Sequence, residues 1–508
     1  MLTGQADFIE QWARVAPWRV ALREVETGRA LRYGELSSRA WRLTHGLAAQ
    51  GVMPGDRVCL LARNGIETFE MVIACLRLGA AFTPLNWRLA GKELDDIIAR
   101  CRPRVLIYDD PSRQTAGEIL GGRGELRGVA LGEPVQARDP RYEALLSDAR
   151  DVPALVDRDP ETGAMLLYTS GTTGKPKGVM LPHRQVFYNA INTVYACDLS
   201  PDDKALAFLP LFHTGGLNCL ATPTLYRGGT VALMSAFDAP LSLKVIEEWG
   251  ITATVAVPTM YQMLLDAGLD DHDTRSLKTV LCGGAPLPDP LLDAWLDRGY
   301  MFRQGFGMTE VGPNCFSLPP WMVPHKRGSV GMPVLHGAAR VVDETGRPLP
   351  VGEVGELLLA GPHVCSGYFE DEANTAAVLR DGWFHTGDYA RVDEDGYFYV
   401  AGRKKDMFIS GGENVYPAEI ESVILAMPGV AEVAVVAVPH KKWGEVGLAA
   451  MVAEPGASLD GAAVKRWCAD HLAKFKVPKR YVQLDELPKN ASGKVVKAAV
   501  RQRALAQS

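Results

Sequence analysis

The sequence predicts an α/β protein, with a large multi-layer N-terminal domain of β-sheets packed by helices and a small α+β C-terminal domain. Three observations carry this. At 508 residues the chain exceeds what one hydrophobic core accommodates, so two or more domains follow. Helical and strand-like patterns alternate through residues 1 to about 160, as they do in layered α/β folds. From Arg403 onward the charge balance reverses, with 16 Lys and Arg against 11 Asp and Glu, whereas the preceding residues hold 38 against 49.

In chain order, a helix is expected from Tyr33 towards Ala49, a strand over Asp56 to Leu60, and a helix from the turn Arg63-Asn64-Gly65 through Leu78. Gly79 to Asn86 reads as a short strand ending at a turn, and Val105 to Asp109 as another strand. Asp110 to Asp159 is turn-rich and carries no further pattern. Apolar strands at Ala164 to Tyr168 and Val179 to Leu181 flank a polar loop. Thr252 to Val257 and Thr279 to Cys282 are β-branched or apolar runs bounded by turns, which suits buried strands. In the tail, helices are expected over Pro417 to Met427 and Ala462 to Ala473, with strands at Val430 to Val438, Leu448 to Val452 and Tyr481 to Leu484.

Hydrophobic content of 47% and charged content of 22% are those of a globular protein. The apolar run Met71 to Leu85 is interrupted by Arg77 and is too short to span a bilayer. Gln5, Asp7, Glu10 and Gln11 break any signal-peptide pattern, so no transmembrane segment and a cytoplasmic location are expected. Nine scattered cysteines without CxxC spacing read as buried apolar residues. The basic tail suits an anionic ligand or a solvated face; no nucleic-acid motif accompanies it, and no nucleic-acid partner is expected.

The most informative stretch is Thr169-Ser170-Gly171-Thr172-Thr173-Gly174-Lys175-Pro176-Lys177-Gly178. Three glycines free the backbone to approach a ligand, four hydroxyls add donors, and two lysines add positive charge. Such a loop suits a polyphosphate, although a solvated hairpin loop is the plain alternative. A Walker P-loop is excluded, because Thr169 and Pro176 occupy its required Gly and Ser/Thr positions. The decapeptide resembles the signature loop of the ANL superfamily of adenylate-forming enzymes, which includes acyl-CoA synthetases, peptide-synthetase adenylation domains and luciferases.

Further segments carry the same resemblance. Gly79 to Asn86 is similar to a family Gly-x-x-x-x-Pro-Leu-Asn element. Val257-Pro258-Thr259 and Gly283-Gly284-Ala285-Pro286 resemble elements lining the acyl and adenine pockets. Gln304-Gly305-Phe306-Gly307-Met308-Thr309-Glu310 resembles Gln-Gly-Tyr-Gly-Met-Thr-Glu, with Phe306 in the tyrosine place. That match implies an aromatic face for adenine, Thr309 beside phosphate and Glu310 as a hard oxygen ligand for Mg2+. Read alone, Thr309-Glu310 also fits a helix start. Gly382 to Asp388 resembles Gly-Trp-x-x-Thr-Gly-Asp, which makes Asp388 the ribose ligand, an Asp-rich turn being the alternative. His213, after Leu209-Pro210-Leu211-Phe212, matches a position bordering the acyl pocket, with Gly283, Gly305 and Thr259 as further pocket residues.

Gly402-Arg403-Lys404-Lys405-Asp406 resembles the family's interdomain hinge, which divides the chain into 1–402 and a mobile 403–508. By that match Arg403 meets ribose or phosphate and Lys405 is the pivot. Ser410-Gly411-Gly412-Glu413-Asn414 resembles the coenzyme A loop of acyl-CoA synthetases, and Trp443 and Phe475 match places where relatives stack aromatics on that cofactor. Leu487-Pro488-Lys489-Asn490-Ala491-Ser492-Gly493-Lys494 resembles the element whose last lysine catalyses adenylation, which assigns that role to Lys494.

The resemblance implies an AMP-forming acyl-CoA synthetase of fatty acid metabolism or aryl-acid activation, using ATP, Mg2+ and coenzyme A, as a monomer or homodimer. The acid is expected to be a medium- or long-chain fatty acid or an aryl carboxylic acid. Motif positions beside Gly305 hold no arginine, which weighs against a malonate-like second carboxylate. A carrier-protein ligase and an inactive ATP- or acyl-binding homologue are the alternatives. Luciferase-like oxidation is disfavoured by the coenzyme A-type loop.

Overall fold

A computed structural model describes residues 7–147, 159–169, 176–285, 287–489 and 495–507. Two seven-stranded sheets form the larger part. The first runs Gly367–Tyr368, Lys177–Pro182, Gly163–Thr169, Ala81–Pro84, Arg57–Leu61, Val105–Tyr108, Arg127–Ala130. Its pairings are parallel from Gly163–Thr169 to Arg127–Ala130 and antiparallel at the other edge. The second runs Phe302–Gln304, Thr279–Cys282, Ala253–Ala256, Lys204–Ala207, Thr230–Leu233, Val20–Glu24, Ala30–Arg32, parallel except at the last pair.

Strands buried on both faces read as near-continuous apolar or β-branched runs, and Val105–Tyr108, Ala253–Ala256 and Thr279–Cys282 are fully buried. The helix Tyr33–Ala49 buries Leu36, Ala40, Leu43 and Leu47 along one stripe, as a 3.6-residue period requires. The apolar run that begins at Met71 is the second half of a helix, Ile66–Leu78, buried nearly all round. It stops at Gly79, whose φ of 76° suits a residue without a Cβ. Arg77 survives inside because Asp7 pairs with its Nε at 2.8 Å and Trp41 lies under the guanidinium at 4.2 Å. Among the described residues no helix is long and apolar enough to cross a membrane.

A third, antiparallel sheet is built on the long strand Trp383–Val392, flanked by Gly355–Ala360 and by Phe398–Arg403. The terminal part has its own five-stranded sheet: Phe408–Ser410, Glu413–Val415, Val430–His440, Gly444–Ala453 and Arg480–Gln483. It packs against helices Pro417–Leu425, Gly461–His471 and Lys497–Ala506 around two apolar clusters of its own.

The expected strands and helices therefore appear within a few residues of their places. Asp110 to Asp159 is the exception, holding helices Arg113–Gly121 and Tyr142–Ser147 and the strand Arg127–Ala130. These elements are short, glycines interrupt Arg113–Gly121 and Arg127–Ala130, and tertiary packing of Ile119, Leu120, Val129, Leu145 and Leu146 overrides their weak local pattern. All nine cysteines are free, and eight are buried.

Candidate active site

Motif segments converge on the carboxyl ends of strands from both large sheets, the usual ligand position in open α/β sheets. Thr169 and Lys177 are paired in register, so the two strands flanking the signature segment end side by side in the first sheet. Ser170, Gly171, Thr172, Thr173, Gly174 and Lys175 lie outside the described residues, as do Pro286 and Lys494. Lys177 Nζ donates to Asn374 Oδ1 at 2.8 Å and sits 4.9 Å over the ring of Tyr368. Tyr368 in turn donates its hydroxyl to Glu310 Oε1 at 3.1 Å.

Gln304 ends a strand, and Gly305 prolongs the ladder by donating its N–H to Cys282 O at 2.7 Å. Phe306 meets Phe316 edge-on at 5.9 Å. At Gly307 a Cβ would collide with the Pro313 carbonyl, so glycine is required there by close approach. A backbone bridge between Met308 and Gly312 closes a turn over Thr309 and Glu310. That turn is no helix start. Gln185 donates to Thr309 O at 3.0 Å, and the N–H of Cys365 donates to Glu310 O at 2.7 Å.

The Glu310 carboxyl is buried, and burial raises its pKa while the Tyr368 hydroxyl and the charges of Arg403 and Lys177 oppose that rise. No group of three or more His, Cys, Asp and Glu forms a metal cage among the described residues. A single buried carboxylate fits Mg2+ nonetheless, because that ion completes its shell with phosphate oxygens and water.

Asp388 and Arg403 pair across the third sheet, with Arg403 Nε 2.8 Å from Asp388 Oδ1. Lys404 and the exposed Lys405 follow in a single turn, Lys404–Asp406, and Lys404 Nζ reaches Glu356 at 3.2 Å. Tyr389 and Tyr416 meet edge-on at 5.6 Å across this junction.

Gly283 and Gly305 are neighbours with open space above them. A Cβ on Gly283 would meet only Gly305 O, at 3.8 Å, and one on Gly305 only Cys282 O at 3.6 Å and Asn314 Oδ1 at 3.9 Å. Gly284 follows with φ of 82°, and Ala285 is exposed beside it. His213 is half-buried against Phe212, ring centroids 4.5 Å apart, and its buried Nε2 has no partner among the described residues. Burial and the nearby Arg88 pull its pKa down to about 4, so the ring is neutral. Thr259 stands exposed on the first turn of the helix Pro258–Asp266.

In the terminal part, Ser410 is buried, and Gly411 and Gly412 turn the hairpin to Glu413 with φ of 64° and 92°, as a two-residue turn demands. Trp443 packs on this turn: a Cβ on Gly411 would come within 2.5 Å of its ring, and the Gly411 N–H donates to Trp443 O at 2.9 Å. Phe475 is half-buried against the terminal core. Lys489 and Val495 form a backbone bridge on either side of the segment holding Lys494.

Sequence reasoning did not find Tyr368, Asn374 or Gln185. No local pattern marks them, since each meets the motifs through a pairing more than 55 residues away in the chain.

The chain matches the family model for AMP-binding enzymes over residues 9–369 and that for the AMP-binding enzyme C-terminal domain over 419–494. It is 44% identical to a feruloyl-CoA synthase of Amycolatopsis sp over 97% of both chains. It is 40% identical to an indoleacetate–CoA ligase of Aromatoleum aromaticum, over 98% of this chain and 97% of that one. Among solved structures, o-succinylbenzoate CoA synthetase from Bacillus subtilis, in complex with its acyl-adenylate intermediate, superposes with a TM-score of 0.87 at 31% identity, covering 97% of this chain and 98% of that one.

Proposed function

The chain belongs to the ANL superfamily of adenylate-forming enzymes and is an AMP-forming acyl-CoA synthetase, and from that premise we propose that its acid is an aryl carboxylic acid. The observation that carries this reading is the side-chain-free shelf at Gly283 and Gly305, where a planar ring can lie against backbone. The names of the relatives, feruloyl-CoA synthase and indoleacetate–CoA ligase, support it.

A carboxylate resists thiol attack because its carbon is electron-rich and its oxygen leaves poorly. Joining it to AMP removes both obstacles. The carboxylate attacks the α-phosphorus of ATP and pyrophosphate departs, so the protein supplies position and charge rather than a nucleophile. Thr169 to Lys175 hold the departing phosphates, Asp388 and Arg403 hold the ribose side, and Gly284, Ala285, Pro286 and Phe306 border the adenine. Thr309 and Met308 line the phosphate turn, and Glu310 would hold Mg2+, which would neutralise phosphate charge when bound. Lys494 bridges the attacking carboxylate and the α-phosphate.

For the second step the part after Arg403 turns about Lys405. This withdraws Lys494 and presents the turn Ser410, Gly411, Gly412, Glu413 with Trp443 and Phe475 to coenzyme A. The neutral, half-buried His213 borders the acyl group.

The test is coenzyme A-dependent AMP release across cinnamic, indoleacetic, benzoic and fatty acids. An aryl acid should exceed every fatty acid in kcat/KM by about tenfold or more, or 1.4 kcal/mol. A fatty acid at the top of that series refutes the aryl reading. Supplying a carrier protein in place of coenzyme A tests the acceptor in the same assay.

A further inference from the structure

The edge strand Phe302–Gln304 carries a charge where its neighbours are apolar. Arg303 is only 5% exposed and stands in register beside Leu281, which stands beside Val255. Partners in register project to the same side, and Leu281 and Val255 belong to an apolar cluster with Cys219 and Leu220. Successive residues alternate faces, so Gly305 and Gly283, two positions on, share the face of Arg303 and Leu281. The glycine shelf therefore leads down, over roughly 7 Å, to a row made of Leu281 and Arg303.

Few groups compensate this guanidinium. Nη1 donates to Ala196 O at 2.9 Å, at the carboxyl end of the helix His183–Cys197, and the Cys197 thiol lies beside it. Nε is buried without a partner, and no carboxylate pairs with the group among the described residues. The helix dipole accounts for the bond to Ala196. It does not account for the idle Nε, and burying a charge without a counter-group is costly. Cys219, which belongs to the same cluster, lies 3.2 Å from Asn314 Oδ1, the amide that borders Gly305.

We propose that Arg303 closes the far end of the acyl pocket and selects aryl acids bearing an oxygen acceptor remote from the reacting carboxylate. The proposal rests on the aryl-acid reading. The acceptor is a phenolic oxygen or a second carboxylate, since the planar guanidinium fork serves both. The positions flanking Gly305 hold no arginine; the alternation of the strand brings one in from a full pleat deeper.

The test uses the intact enzyme with cinnamate, 4-hydroxycinnamate and 4-carboxycinnamate in coenzyme A-dependent AMP release, with Arg303→Met and Arg303→Lys beside wild type. Wild type should favour an oxygenated acid over cinnamate by about tenfold or more in kcat/KM, the range of a hydrogen bond to a charged group. Arg303→Met should lose that preference through KM, with a loss at least about tenfold greater on the oxygenated acid than on cinnamate. Arg303→Lys should retain preference for the dicarboxylate alone. A higher rate with the hydroxyl identifies a neutral acceptor, and one with the second carboxylate an anion; either supports the role. Equal losses on all three acids would reduce Arg303 to a helix cap and overturn the proposal, as would a wild type indifferent to the substituent, a comparison that needs no variant to fold. If no aryl acid releases AMP, the aryl reading falls and takes this assignment with it; if all do so equally, only the assignment falls.

Discussion

Arg403 and Asp388 stand in register on adjacent strands, and Arg403 Nε donates to Asp388 Oδ1 at 2.8 Å, with the carboxylate side chain 4% exposed. The pair holds in place two groups assigned to the nucleotide, so neither must be ordered when ATP arrives. Asp388→Asn keeps the shape and removes the charge. KM for ATP in pyrophosphate exchange should rise about tenfold or more, the range for hydrogen bonds to charged groups. A rise confined to KM for the acid would contradict the nucleotide assignment.

Tyr368 donates to Glu310 at 3.1 Å and lies beneath Lys177. Tyr368→Phe keeps the ring under the lysine but deletes the donor, leaving the buried carboxylate harder to ionise. The half-saturating Mg2+ concentration should rise about tenfold, with thermal unfolding shifted by only a few degrees. Unchanged Mg2+ dependence would detach Glu310 from the metal.

Lys494→Ala separates the two steps. Pyrophosphate exchange should fall by about a hundredfold or more, the scale for loss of a transition-state charge contact. Thioester formation from supplied acyl-AMP should stay near wild type. Equal losses in both assays would defeat the division of labour between the faces of the terminal part.

His363 is buried and His213 half-buried, and desolvation draws both pKa values down to about 4 from 6.5. The unfolded chain takes up these protons below pH 6.5, while the folded protein resists until about pH 4. Stability is full above 6.5 and falls as pH drops through this window. Each ring contributes about 3 kcal/mol of that fall. His363→Leu should therefore flatten urea-derived stability between these limits by about that amount. An unaltered slope in the variant would show that other groups govern acid unfolding.

Local signals explain most of what could be read without coordinates. Tyr33–Ala49 carries its apolar stripe in the sequence, and the loop from Gly305 to Glu310 announces itself because close backbone approach leaves no choice at Gly307. Long-range pairing was not legible. Tyr368 reaches Glu310 only because Gly367–Tyr368 adds an edge to the first sheet beside Lys177–Pro182, and nothing near residue 368 states that register. Arg303 was visible as a letter, but its meaning depended on which side of its strand Gly305 faces.

Arg403 is also the last residue of its strand, and the turn through Lys405 begins immediately after it. A terminal part swinging from that turn leaves Arg403 stationary, clasped to Asp388. On the proposed rotation about Lys405, the mixed anhydride made in the first step stays where it was formed, while one catalytic loop is carried off and another is carried in. On that proposal, each ATP consumed should end in one thioester rather than in leakage to free acid.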